Sequence, residues 1–178
     1  RPHGPSTEEL VARFVSGQKT AFREIVARIR GRVFNAIYGM VGSTNEADDI
    51  AQEVYIKIYS SLDRFNFQSK FETWLYRIAI NTTIDYLRKQ KRDRVVALDD
   101  FSEGEKRALE RQISLDAPPP KDSLEESEVQ ESIQKVLRTL SPKYRQVIVL
   151  RELEGLKYDE IAKVLKCSIG TVESRLHR

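Results

Sequence analysis

From Phe22 to Ile37 apolar side chains recur at Phe22, Ile25, Val26, Ile29, Val33 and Ile37, and most steps in this series are three or four residues. That is the period of an α-helix with one buried face. A half-buried strand would alternate at a period of two, and no such run longer than a few residues occurs in the chain, nor does any internal repeat. The spacing therefore predicts an all-α protein.

The same period places the other helices. Ser6 followed by Glu9 has the form of a capping box ahead of Leu10, Val11, Phe14 and Val15. A second helix is expected from about Thr20 to Val41, broken by Gly42-Ser43, with Asn45 as the expected cap of the third. In that third helix Ile50, Val54 and Ile58 face inward, and Asp48, Asp49, Gln52 and Glu53 lie elsewhere. A fourth, from about Glu72 to Arg92, carries Leu75, Ile78, Ala79, Thr82 and Tyr86 at helical spacing. Trp74 is read as mainly a core residue.

Residues 95–123 lose the pattern. Pro118, Pro119 and Pro120 cannot continue a helix, because proline lacks the amide donor and clashes with the preceding turn. Periodicity returns at Leu124, Val129, Ile133, Val136, Leu137 and Leu140; Ser141-Pro142 then opens a helix with Tyr144, Val147, Ile148 and Leu150. The expected organisation is two small helical domains, 1–94 and 124–178, joined by a flexible acidic linker, 95–123.

Charge follows the same division. Residues 1–94 carry 16 Lys/Arg against 11 Asp/Glu, residues 95–133 carry 4 against 11, and residues 134–178 carry 10 against 5. Two basic blocks flanking an acidic strap suggest two surfaces facing a polyanion. No apolar run approaches the roughly 18 residues of a membrane helix, and no secretory signal is visible. Cys167 stands alone, which gives neither a disulfide framework nor a zinc cluster. A cytoplasmic location is expected, without cofactor or metal. The first residue is not Met, so a trimmed N-terminus is expected.

Two constellations could carry function. YDEIAKVLKCSIGTVESRLHR reads as a helix-turn-helix: Tyr158 to Leu165, a turn over Lys166 to Ser168, and a second helix capped by Ser168 and pinned by Ile169, Val172 and Leu176. Thr171, Ser174, His177 and Arg178 are left outward, as a helix entering a major groove requires. The alternative is a plain helical hairpin. The loop from Phe65 to Lys70 is the other. Exposed Phe65 and Phe67 would offer a stacking platform for unpaired bases, Asn66, Gln68 and Ser69 could read a base edge, and Lys70 could hold a phosphate. Arg77, Arg88, Lys89, Lys91 and Arg92 could track further phosphates. Equally, the phenylalanines could fold beneath the domain.

The order DDIAQEVYIKIY, FETWLYRIAINTTIDYLRKQKR, LSPKYRQVIVLRELEGLKYDEIAKVLKCSIGTVESRLHR resembles a bacterial RNA polymerase sigma factor of the extracytoplasmic-function group, which keeps the second and fourth conserved regions. The resemblance runs from about Leu10 to the end, apart from the linker. It implies a non-enzymatic factor that binds core polymerase and promoter DNA, and it implies roles residue by residue. Asp49, Gln52 and Glu53 match positions that meet the clamp helices of the largest polymerase subunit; the flap of the second-largest is a further contact. Phe65 to Lys70 matches the loop that captures a base flipped from the minus-ten element, and Asn81 a position reading its upstream edge. Arg151, Tyr158, Asp159 and Thr171 match positions near minus-thirty-five phosphates. Glu173, Ser174, His177 and Arg178 match positions facing bases there. An anti-sigma partner is also implied, and the linker is expected to thread near the polymerase active site.

Two features depart from the pattern. Glu173 stands where many relatives have Arg or Lys; it repels phosphate but can accept from cytosine N4. The chain also stops at Arg178, inside the recognition helix, so a longer native protein is expected. Two other functions fit parts of the sequence. One is a stand-alone helix-turn-helix regulator binding duplex operator DNA. The other is a metal-dependent nuclease using Asp48, Asp49 and Glu53.

Overall fold

The computed structural model describes residues 4–98 and 124–177. Every regular element among them is helical: α1 (Thr7–Val15), α2 (Ala21–Val41), α3 (Thr44–Ser61), a 3-10 turn (Leu62–Arg64), α4 (Phe71–Leu98), α5 (Leu124–Thr139), α6 (Pro142–Ile148) running on into a π-helical turn (Val149–Leu153), α7 (Tyr158–Leu165) and α8 (Ile169–Leu176). The expected all-α class and the two helical domains are present.

The local signals act as the sequence chemistry requires. Ser6 Oγ accepts from the Glu9 amide at 3.1 Å, and the Glu9 carboxylate accepts from the Ser6 amide at 2.7 Å, a closed capping box. α2 stops at Gly42, which takes a left-handed φ of 70° and donates its amide to the Tyr38 carbonyl. The cap of α3 is Ser43, not Asn45: Thr44 is already helical, and the extended residue before it is the one whose hydroxyl meets the Glu46 amide, at 3.4 Å. α4 outruns its expected end at Arg92 and reaches Leu98, since nothing from Asp93 to Leu98 breaks a helix.

The first core lies within residues 10–79. Leu10, Val11 and Phe14 of α1 close over the stripe Ile25, Ile29, Val33 and Ile37 of α2. Ile50, Val54 and Ile58 of α3 and Leu75 and Ala79 of α4 complete it. Trp74 is half-buried against Phe65 and Phe71, as expected of a structural residue.

A second core was not legible in advance. Ala36 and Met40 of α2 and Tyr76 and Ile80 of α4 pack with Leu137, Val147, Val149, Leu150, Leu156, Ile161, Val164 and Val172 of the C-terminal module. The two modules are therefore in direct contact across α2 and α4. α5 departs from its expected inward stripe: Val129 is 61% and Val136 62% exposed, and Ile133 is also at the surface, whereas Leu137 is buried. The reason is the side on which α5 meets α2: Gln134 and Arg138 lie against Gly42.

Between the modules the Tyr76 hydroxyl donates to Glu154 Oε2 at 2.6 Å, while Glu154 Oε1 has no hydrogen-bond partner. Burial pushes the Glu154 carboxyl above its ordinary value, against the lowering effects of Tyr76 and Arg32.

Leu75 is fully buried, so Leu75→Ala is expected to cost about 2–5 kcal/mol in urea unfolding. Glu154 binds its proton more tightly folded than unfolded, so its charged form weakens the fold at neutral pH and that penalty fades as pH falls through the raised pKa. Glu154→Gln keeps an acceptor for Tyr76. Thermal melts should show the variant more stable than the wild type near neutral pH, with the difference shrinking as the pH is lowered through the raised pKa.

Candidate nucleic-acid interface

The helix-turn-helix is built by three local devices. Lys166 ends α7 in a left-handed conformation with φ 52°. Ser168 Oγ accepts from the Thr171 amide at 3.1 Å and fixes the start of α8. Val172 is buried and Leu176 half-buried, which holds α8 onto α6 and α7. Ile169, expected as a third anchor, is 47% exposed, because it opens the helix ahead of the packed turn. Glu173, Ser174 and His177 stand exposed on the outward face. Thr171 is half-buried, its hydroxyl 2.8 Å from that of Ser168. Arg178 lies outside the described residues.

Behind α8, Arg151 donates to the Leu156 carbonyl at 3.0 Å and lies over the Tyr158 ring. Asp159 is exposed and 3.7 Å from Lys163. A cavity of about 430 Å³ beside the N-terminus of α8 is lined by Lys143, Tyr144, Ser168, Thr171, Ser174 and Arg175. Lys143 and Arg175 were missed in the sequence. Arg175 stands one turn beyond Thr171, a signal that could have found it.

The minus-ten candidates are less uniform. Phe65 is not a surface platform: it is only 6% exposed, with Phe67 and Phe71 edge-on to it and Trp74 tilted against it. The loop has no periodicity, so the sequence could not say which ring turned inward. Phe67 remains, 50% exposed, at a backbone φ of 58° that bulky side chains rarely adopt. Its ring centroid is 4.9 Å from that of Phe65. Asn66 and Gln68 are exposed, and Asn66 Oδ1 accepts from the Gln68 amide at 3.2 Å. Ser69 is half-buried.

The cations divide into two groups. Lys70 is paired with Glu160 at 2.9 Å, which raises its pKa, and Arg77 donates to the Lys163 carbonyl at 3.0 Å. Arg88, Lys91 and Arg92 are exposed, as is Asn81. A groove of about 690 Å³ runs along Asn81, Arg88 and Lys91 on one side and Pro142, Lys143 and Gln146 on the other.

On α3, Asp49, Gln52 and Glu53 are all exposed on one side of the helix, away from the inward Ile50 and Val54. Glu53 is 2.8 Å from Lys57, an ion pair rather than part of a convergent acidic site with Asp48 and Asp49.

Comparison with known proteins gives this geometry a family. Residues 25–93 match the family profile of Sigma-70 region 2, and residues 130–178 match that of Sigma-70, region 4. The chain is 39% identical to the ECF RNA polymerase sigma factor SigW of Bacillus subtilis (strain 168), covering 91% of this chain and 86% of that one. It is 37% identical to the RNA polymerase sigma-H factor of Pseudomonas aeruginosa, covering 96% and 88%. It is 36% identical to the ECF RNA polymerase sigma-E factor of Escherichia coli (strain K12), covering 95% and 87%. Among solved structures it resembles CnrH in complex with the cytosolic domain of CnrY, with a TM-score of 0.66, 26% identity and coverage of 95% and 88%. The fold also matches the sigma factor RpoE of Bartonella quintana in complex with the anti-sigma factor NepR, with a TM-score of 0.68, 24% identity and coverage of 88% and 90%. Two sigma regions in order, on a helical scaffold shared with these relatives, place the chain in the extracytoplasmic-function sigma factors of RNA polymerase.

Proposed function

We propose that this sigma factor, mounted on core RNA polymerase, directs promoter-specific initiation by holding minus-thirty-five duplex with α8 and capturing an unpaired minus-ten base at the Asn66–Phe67–Gln68 loop tip. Its work involves no covalent step and no catalytic residue. The N-terminal module corresponds to residues 1–94 and the C-terminal one to 124–178, with 95–123 between them. The Asp49, Gln52 and Glu53 side of α3 meets the clamp helices of the largest polymerase subunit, and the C-terminal module meets the flap of the second-largest. The factor acts in the cytoplasm, where polymerase and chromosome are. As CnrH and RpoE are each held by a second protein, an anti-sigma protein is a further partner; the exposed Val129, Ile133 and Val136 of α5 offer it an apolar surface.

The observation that carries this reading is Phe67. A left-handed conformation costs a residue with a Cβ about 1–2 kcal/mol. The edge-on contact with Phe65 returns about 0.5–1.5 kcal/mol. The fold gains almost nothing from presenting this ring, which is the pattern of strain kept for function. A base stacked on an aromatic ring gains about 1–3 kcal/mol, similar to the few kcal/mol needed to extrude it. Opening therefore depends on polymerase contacts as well. In this arrangement Phe65 supports Phe67 from below, Asn66 and Gln68 read the base edge, and Asn81, Arg88, Lys91 and Arg92 lie along the upstream strand. In the C-terminal module, Thr171, Arg151 and Tyr158 lie near phosphates, and Ser174, His177 and Glu173 face bases. Glu173 favours cytosine by accepting from its N4 amino group.

Phe67→Gly separates the two roles. Lost strain and lost ring contact nearly cancel, so unfolding free energy should change by no more than about 1 kcal/mol. Run-off transcription with core polymerase should fall about tenfold or more, and Asn81→Ala should lower it as well. Core binding should stay intact in both. A Phe67→Gly protein that is stable and transcribes normally refutes base capture at this loop. Charge reversal by Asp49→Lys with Glu53→Lys should instead weaken core binding in a pull-down, with duplex binding by the C-terminal module unchanged.

A further inference from the structure

The groove of about 690 Å³ between the two modules has an apolar floor as well as a charged rim. Ile84, Leu87, Arg88 and Lys91 follow one another at steps of three, one and three, so they share one side of α4. Ile84 and Leu87 make the floor together with Leu165 of α7 and Pro142 of α6. The three aliphatic chains are half-buried: they pack on the second core and also line the groove. Arg88, Lys91 and Lys143 line the same space and are exposed.

Loose packing of the whole boundary does not account for this opening. Elsewhere the modules meet closely: position 39 of α2 is glycine, and a Cβ there would lie 2.9 Å from a Val149 methyl and 3.0 Å from a Leu153 methyl. The charge is local too. The cavity of about 460 Å³ at Tyr76 has four carboxylates, Glu8, Glu72, Glu154 and Glu160, against Arg32 and Lys70. The groove has three cations against one carboxylate, Asp85. Among the described residues, no carboxylate lies within ion-pair distance of Arg88, Lys91 or Lys143. A DNA strand would account for the cations, since its backbone is charged along its length, but it gives no use to the floor. The volume is that of a small-molecule site, roughly 300–1,000 Å³, and such sites combine an apolar lining with a few convergent polar groups.

We propose that this groove binds a small amphipathic anion, with an apolar or aromatic body on the Ile84, Leu87 and Leu165 floor and a phosphate or carboxylate at Arg88, Lys91 and Lys143. Burial of the body supplies affinity. Charge-assisted contacts set which end faces the cations and exclude a molecule of the same shape with a cationic head. Asn81, Arg88 and Lys91 are also the side chains assigned to the upstream promoter strand, so a bound anion competes with that strand. The competition rests on the initiation-factor reading above; the binding does not.

Methyl NMR of the full chain, without polymerase or DNA, tests the site. Titration with naphthyl phosphate should shift the methyls of Ile84, Leu87 and Leu165 to saturation and leave those of Val129, Ile133 and Val136 in place. Inorganic phosphate at the same concentrations should shift none of them. Lys91→Ala with Lys143→Ala changes two exposed positions and should weaken naphthyl phosphate about tenfold. Octanoate and adenosine monophosphate distinguish two sources of this chemistry, an acyl anion and a nucleotide; a response to either supports the site, and a response to neither overturns it. Shifts confined to α5, an equal response to inorganic phosphate, or an unchanged affinity in the double variant also overturn it. In run-off transcription with core polymerase, naphthyl phosphate should inhibit the wild type at the concentrations that saturate the methyl shifts. The double variant, measured against its own ligand-free yield, should need about tenfold more. Saturation without inhibition overturns the competition. A wild-type chain that drives no polymerase-dependent transcription in the absence of ligand overturns the initiation-factor reading instead, and leaves the NMR result standing.

Discussion

The double burial of α4 governs this structure. One side of the helix, with Leu75 and Ala79, closes the core made by α1 to α3. Another, with Tyr76 and Ile80, is buried against the C-terminal module. A helix buried on two sides is fixed in rotation, since any turn about its axis would expose one stripe or the other to water. The rotation in turn fixes where Arg77, Asn81 and Arg88 emerge. The positions expected to read DNA are therefore set by hydrophobic packing rather than by contacts of their own.

The same economy governs the loop before α4. Phe65, Phe71 and Trp74 form an aromatic wedge under the loop tip. The wedge is what holds Phe67 outward in a conformation that its own backbone disfavours. In the C-terminal module, α8 is short and keeps only Val172 fully buried, so its orientation depends on the Ser168 cap and the left-handed turn at Lys166 as much as on apolar contact. Both proposed readers are thus held by neighbouring geometry: an aromatic floor in one, a turn and a cap in the other.

Much of this was legible in the residues. The helical period located α2, α3 and α4, and capping chemistry located α1 and the helix-turn-helix, because these signals are local and each names its own partner. What failed was non-local. Helical spacing picked out one stripe on α4, through Leu75, Ile78 and Ala79, and says nothing of a second, so Met40, Tyr76 and Ile80 gave no warning that two modules would share a core. Apolar spacing also overstated α5, where Val129, Ile133 and Val136 have the right period and stand exposed. Phe65 and Phe67 are chemically identical, and only the tertiary wedge distinguishes the ring that is buried from the one that is not. For the same reason Lys70 and Arg77 read as free cations in the sequence, although their companions lie at Glu160 and Lys163, far along the chain.

Gly39 has a consequence of a different kind. It touches neither promoter nor enzyme in the arrangement described here, yet the closeness of the two halves hinges on a hydrogen where other residues have a carbon. A larger residue at this spot would have to be matched by a smaller one at Val149 or Leu153 for the shared core to survive, so these three positions can change only together.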